Sequence, residues 1–196
     1  LTKVDPTPET PKDDEDKKDE ENTSRFTKDG TYSVDVALWN ATSDKESMAA
    51  SAINSKAKII VKDGKATMYL STKEMSFGSI KASLQEFYIG SEQEDYKNHS
   101  ATIIEKDAQG NPTLWAFELP HENEYINVMM NPHVAMMGNM DLAARLKIDY
   151  TTLTYVSDKT ELEPNTKKDD QQENTNKDQT ANKENQINEN QSVKTG

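Results

Sequence analysis

Residues 31–38 read TYSVDVAL, and their strict alternation limits what the chain can build. Tyr32, Val34, Val36 and Leu38 fall on one side, and Thr31, Ser33 and Asp35 on the other. Only an extended backbone with a period of two residues puts such a set on one face. The segment is therefore a strand with one face in a core and one in water. A half-buried strand needs neighbours for its backbone and a second layer for its apolar face.

The chain supplies both. KIIV at 58–61 and KATMYL at 65–70 flank Asp63-Gly64, a strong hairpin signal. Between 79 and 89, Ile80, Ala82, Leu84 and Tyr88 keep mostly even spacing. Thr102, Ile103 and Ile104 lie within a run over 100–106, and Gly110-Asn111-Pro112 turns the chain into LWAFEL at 114–119. YINVMM at 125–130 and ARLKIDY at 144–150 form a last pair around a Met- and Gly-containing loop, with 151–156 extending the final strand. About eight short strands with turns between them predict an all-β fold, an antiparallel β-sandwich. One short helix is expected over 44–53, DKESMAASAI, capped by Ser43 or Asp44.

Apolar residues are confined to this region. Residues 1–24 hold only Leu1 and Val4 as large aliphatics, and 165–196 only Ile187 and Val193. With 33% hydrophobic residues and a mean hydropathy of -0.95, the chain is too polar to fold along its whole length. The expected organisation is an acidic disordered linker at 1–24, a domain at 25–158 and a polar disordered linker at 159–196. Leu1 is not a natural start, so the chain reads as a trimmed fragment. Its last letters, SVKTG, resemble a degenerate sortase sorting signal with Val193 where proline is usual; a plain polar tail is the other reading.

Charge and residue inventory exclude several functions. A net charge of -12 opposes general nucleic-acid binding, although much of the acid sits in KDDEDKKDEE at 12–21. Without cysteine there is no disulfide, zinc–thiolate site, iron–sulfur cluster or cysteine nucleophile. No apolar run approaches the roughly 18 residues of a membrane span. Glycine-rich phosphate loops and Ser-His-Asp order are missing, and pairs such as Glu118 with Glu122 or Asp141 with Asp149 arise by chance in so acidic a chain. The chain is not expected to be an enzyme.

Three stretches carry a family resemblance. DGTYSVDVALWNATSDKESMAASAINSKAKIIVKDGKATMYL at 29–70, residues 74–90 and ARLKID at 144–149 resemble, in that order, the NEAT (near-iron-transporter) domains of Gram-positive cell-surface proteins. The resemblance spans about 25–156. It implies an immunoglobulin-like sandwich that binds haem in a groove between the short helix and the hairpin of the last two strands. It further implies haem capture or relay for iron acquisition by an extracellular domain, cell wall-attached or secreted. Haemoglobin and sister haem-relay proteins are the implied partners. Host-protein binding without haem, and an adhesin or spacer role, are the alternatives; a helix free of aromatic residues disfavours the first.

At one point the chain departs from the family. The family's iron ligand is the first tyrosine of a Tyr-x-x-x-Tyr pair before the closing strand, and here 131–142 reads NPHVAMMGNMDL. Met136 and Met140 have the tyrosine pair's spacing and would share a face on a strand. Met136 is the first expected iron ligand, with Met140 and Met137 beside the porphyrin. Met48, on the helix, is the second expected ligand, with Ser47 or Ser51 on a propionate. Met75 and Phe77 are expected to line the slot, and Arg145 and Lys147 to face outward or meet a propionate. His133 is a rival ligand, since imidazole is the commonest one to haem. Packing without ligation is the alternative for each methionine. His99 and His121 are read as solvated, Trp39, Trp115 and Phe117 as core, and tyrosinate ligation as disfavoured. Met68, Met129 and Met130 are read as core or sheet-face residues.

Overall fold

The structure is a computed structural model that describes residues 23–164. The linker stretches outside that range, with SVKTG, lie outside the described residues. Ten strands follow one another: β1 Gly30–Asn40, β2 Lys56–Lys62, β3 Lys65–Ser71, β4 Met75–Phe77, β5 Ile80–Ala82, β6 Glu86–Ile89, β7 Thr102–Lys106, β8 Pro112–Glu118, β9 Tyr125–Asn131 and β10 Leu142–Ser157. Eight form one antiparallel sheet in the order β6-β9-β10-β1-β2-β3-β8-β7, and β4 and β5 pair as a separate hairpin. The all-β architecture matches the expectation, with both layers supplied by one sheet that curls on itself.

Curling is enforced at the two ends of that order. Residues 99–101, just before β7, turn back onto β6: Ile89 N donates to His99 O (2.9 Å) and Ala101 N to Phe87 O (2.8 Å). Inside the closure, Phe87 stacks on Phe117 at 5.9 Å between ring centroids and lies 6.0 Å from Trp115, both on β8. All three side chains are buried. Trp115 Nε1 donates to the buried Thr72 hydroxyl (3.0 Å), which donates to Pro112 O (3.1 Å), so the indole carries no unpaired polar group into the core.

The predicted alternation holds on β1 from Tyr32 onward, where Tyr32, Val34, Val36 and Leu38 are all buried; Thr31, expected to face water, is buried too, its hydroxyl donating to Lys159 O (2.7 Å). Asp63 and Gly64 both have positive φ, 52° and 76°, as a two-residue hairpin turn needs. The final strand does run on, past an irregularity. Ser33 pairs with Thr154 but Asp35 with Asp149, so residues 150–153 bulge opposite Val34. The Thr152 hydroxyl stitches the bulge, accepting from Asp35 N (2.8 Å) and donating to Asp149 O (2.7 Å). Near the ends of the folded region, Ser24 Oγ donates to Glu122 (2.6 Å) and Glu161 lies 3.5 Å from Lys62.

Three expectations are corrected. The helix over 44–53 does not form; a three-residue 3-10 turn, Ala50–Ala52, is all that coils there. β1 outruns β2, which pairs only up to Asp35, and the freed edge captures the would-be helix as extended chain. Asn40 N donates to Lys45 O (2.8 Å) and Ser47 N to Leu38 O (2.9 Å), bonds a helix would forfeit. The run 79–89 divides between β5 and β6, with buried Leu84 at the break. Trp39 is on the outer face, edge-on to Tyr125 at 6.2 Å, with Lys147 Nζ 4.7 Å above its ring. The outward reading of Lys147 fits this placement.

Phe87→Ala tests the closure. Truncating a fully buried aromatic costs about 3–5 kcal/mol. Urea denaturation should show a loss of that size, and a loss below about 1 kcal/mol would mean the edges close without the ring stack.

Candidate ligand-binding end of the barrel

Sheet order decides which connections meet. Asn40 at the end of β1 pairs with Ala144 near the start of β10, and Leu142 pairs with Met130 near the end of β9. Residues 41–55 and 132–141 therefore leave the barrel at the same end, on neighbouring strands.

The first segment is tied down along its length. Asn40 Oδ1 accepts from the backbone N–H groups of Thr42 (3.0 Å) and Ser43 (3.1 Å). Arg145 reaches across from β10, its Nε donating to Asn40 O (2.9 Å) and its Nη2 to Ser43 O (3.0 Å) and Asp44 Oδ1 (3.2 Å). Its guanidinium thus clamps backbone instead of standing free. Ser47 Oγ accepts from Ala49 N (3.1 Å), and Ala49 and Ala52 are buried. Met48, between these anchors, is 89% exposed, and Ser51 is exposed too.

The second segment is not a strand. Ala135–Met137 is a 3-10 turn ended by Gly138 in the left-handed region (φ 73°). The same-face argument for Met136 and Met140 therefore gives way to another geometry: Met140 folds back over the turn, its Sδ 3.8 Å from where a Cβ on Gly138 would stand. Met136 is 85% exposed and Met140 61%, while Met137 is half-buried. Met75 is wholly buried in the core and presents no surface at this end, and Phe77 ends β4.

A polar ring braces the base of this loop. Buried Asn131 donates from Nδ2 to Asn139 O (3.0 Å) and Asp141 Oδ1 (2.9 Å) and accepts from His133 N (2.8 Å). Asp141 Oδ2 accepts from the Tyr96 hydroxyl (2.6 Å) and Lys97 Nζ (2.7 Å). Lys97 lies 4.6 Å over the Tyr88 ring, Tyr88 donates to Glu86 (2.6 Å), and Glu86 meets His133 Nε2 at 2.8 Å. The imidazole expected as a rival ligand is thereby engaged at the loop's foot. Sequence reasoning missed this ring: Asn131 before Pro132 signals a turn, but nothing local links Lys97 to Asp141.

The ring sets its own acidities. Burial alone would push the Asp141 carboxyl up, but hydrogen bonds from Lys97, Tyr96 and Asn131 outweigh it and hold the group below the usual carboxylate range. Glu86 is lowered by the Tyr88 hydroxyl and then by His133. Those phenols shift the opposite way: Tyr88 is raised chiefly by donating to Glu86, and Tyr96 by donating to Asp141. Burial pushes Tyr150 up to about 12. All three therefore stay protonated at neutral pH, which disfavours any of them as a tyrosinate. Among the described residues no cluster of three or more His, Asp or Glu side chains suits a metal ion, so the soft donors at this end are thioethers. A cavity of about 620 Å³ opens at the far end of the barrel beside His99 and His121 and is lined by none of the predicted site residues.

Because Asp141 and Glu86 titrate lower in the folded chain than in the unfolded one, they stabilise the fold above about pH 5. That stability is lost as pH falls through their folded values. Urea denaturation should show Asp141→Asn less stable than the parent at pH 7, with the gap narrowing at pH 3. An equal gap at both pH values would remove Asp141 from the acid response.

The sequence pattern of the Iron Transport-associated domain, NEAT, matches residues 25–152. Among curated proteins, none matches the chain. Solved structures that it resembles include the NEAT5 domain of IsdX2, a B. anthracis hemophore, in complex with haem: 20% identity, TM-score 0.51, covering 63% of this chain and 98% of that one. A glutamine-to-threonine mutant of the same domain, also with haem, gives 19% identity, a TM-score of 0.51 and the same coverage. At such identity the likeness speaks for the fold alone. The pattern match covers most of the folded region, and the curled eight-stranded sheet agrees with it. This chain belongs to the NEAT family of Iron Transport-associated domains.

Proposed function

We propose that this domain captures haem at the bacterial cell surface, with the thioethers of Met136 and Met48 as axial donors to the iron. The observation that carries the reading is the exposure of these two long apolar side chains, on two braced segments at one end of the barrel. Apolar groups held out in water at one place mark an interaction surface. Haem requires apolar contact and one or two donors, and exposed methionines can supply both. Met137 and Met140 supply further apolar contact. Ser47, whose oxygen already accepts from Ala49 N, keeps its proton for a propionate, and exposed Ser51 is a second donor.

A thioether is neutral and soft, so it prefers ferrous to ferric iron. Haem bound here is held while reduced and loosened on oxidation, which suits a relay to a sister domain. Among the described residues no helix is long and apolar enough to cross a membrane. The haem complexes of the NEAT5 domain of IsdX2 support the choice of cargo.

Titration of the full chain with haemin, before and after dithionite reduction, tests the proposal. Sharp saturable Soret and α/β bands are expected for the reduced form, with weaker binding of the oxidised form. Met136→Ala and Met48→Ala should each change the bands and weaken ferrous binding by about tenfold or more, ~1.4 kcal/mol. Parent-like spectra in both variants would refute thioether ligation. Absence of any saturable change would refute haem capture, and haemoglobin binding by such a protein would favour a host-protein module.

A further inference from the structure

Burial separates seven of the eight methionines into two groups, with half-buried Met137 between them. Met68 and Met130 are 0% exposed, Met129 1% and Met75 2%, all inside the barrel or under the loop after β6. Met48, Met136 and Met140 are among the most exposed large apolar side chains described, and all three belong to the segments at one end. Thioether oxidation depends on access of the oxidant to sulfur. The fold therefore leaves its most accessible sulfur on two connections at the same end of the barrel.

We propose that Met48, Met136 and Met140 form a peroxide-sensitive latch on ligand capture. A sulfur lone pair attacks one oxygen of hydrogen peroxide. The S–O bond forms as the O–O bond breaks, sulfur gives up two electrons, and the second oxygen leaves as water by taking the proton that the attacked oxygen gives up. Each event turns a soft apolar donor into a polar sulfoxide that presents a hard oxygen. Ferrous iron loses its preferred donor, and the porphyrin loses apolar wall. The braces of both segments involve no sulfur, since Arg145, Asn131 and Asp141 bond to oxygen and nitrogen groups, so the chemistry leaves the fold intact. Methionine sulfoxide reductases reset the latch. Only the effect on capture rests on the haem reading; the pattern of modification does not.

The test treats the haem-free full chain with hydrogen peroxide in the presence of a metal chelator, followed by tandem mass spectrometry over time. Met48 and Met136 should oxidise first and Met140 next, each at least about tenfold faster than Met68, Met75, Met129 or Met130. Circular dichroism and the thermal midpoint should stay at parent values. The oxidised chain should bind ferrous haem about tenfold or more weakly and recover after treatment with methionine sulfoxide reductases. Even oxidation across buried and exposed positions would overturn the latch, and so would ferrous binding unchanged by oxidation. If the untreated chain takes up no ferrous haem, capture itself fails and the latch falls with it; uptake that oxidation leaves unaltered removes the latch alone.

Discussion

The backbone bonds from residues 99–101 to β6 hold the rest of this structure in place. An open eight-stranded sheet would leave one apolar face in water and two bare edges. Closing it lets Phe87 from one end of the strand order meet Trp115 and Phe117 from the other. Strand positions then follow. With β9, β10 and β1 adjacent, the connections after β1 and after β9 must rise side by side. The candidate site is therefore a consequence of sheet order, and no loop has to search for it.

Unequal strand lengths do the rest. β1 runs on for several residues after β2 has ended, and unpaired backbone on an inner strand is costly. Residues 45–47 fill that edge, and Met48 follows where the chain leaves it. On the neighbouring side, Asn131 and Asp141 grip the neck of the other connection. Both thioethers thus stand on fixed bases while keeping their own rotamer freedom, a combination that lets soft side chains adapt to a flat ring.

Legibility from sequence tracked the range of the interactions. The β1 alternation, the Asp63-Gly64 turn and the final strand are local patterns, and each appears where its residues predict. The helix at 44–53 had adequate local signals and lost to an edge of β1 that no local window contains. Trp39 reads as core by residue type, yet its register opposite Arg145 puts it on the outer face. Met136 and Met140 share one connection, as their place in the chain dictates, but the strand geometry that would put them on one face fails at the 3-10 turn and Gly138. The loop brace was illegible because Lys97 and Asp141 meet only through the fold of the segment after β6.

For the proposed haem capture charge matters as well, since a dianionic porphyrin would approach a chain carrying -12. The answer lies in where the acid sits near the candidate site. Asp44 is bound by Arg145 at 3.2 Å, Asp141 by Lys97 at 2.7 Å, and Glu86 by His133 and Tyr88 at 2.8 and 2.6 Å. These carboxylates at the loop bases spend their charge on fixing the loops. Unpaired surface charges farther off are screened within roughly 8–10 Å at physiological salt. A neutral thioether adds no charge of its own, so ferrous iron held beside it, as proposed, would carry no penalty for a desolvated anion. The same bonds that brace the segments thus engage Asp44, Asp141 and Glu86, while exposed Glu46, two residues before Met48, remains an acidic group beside the approach.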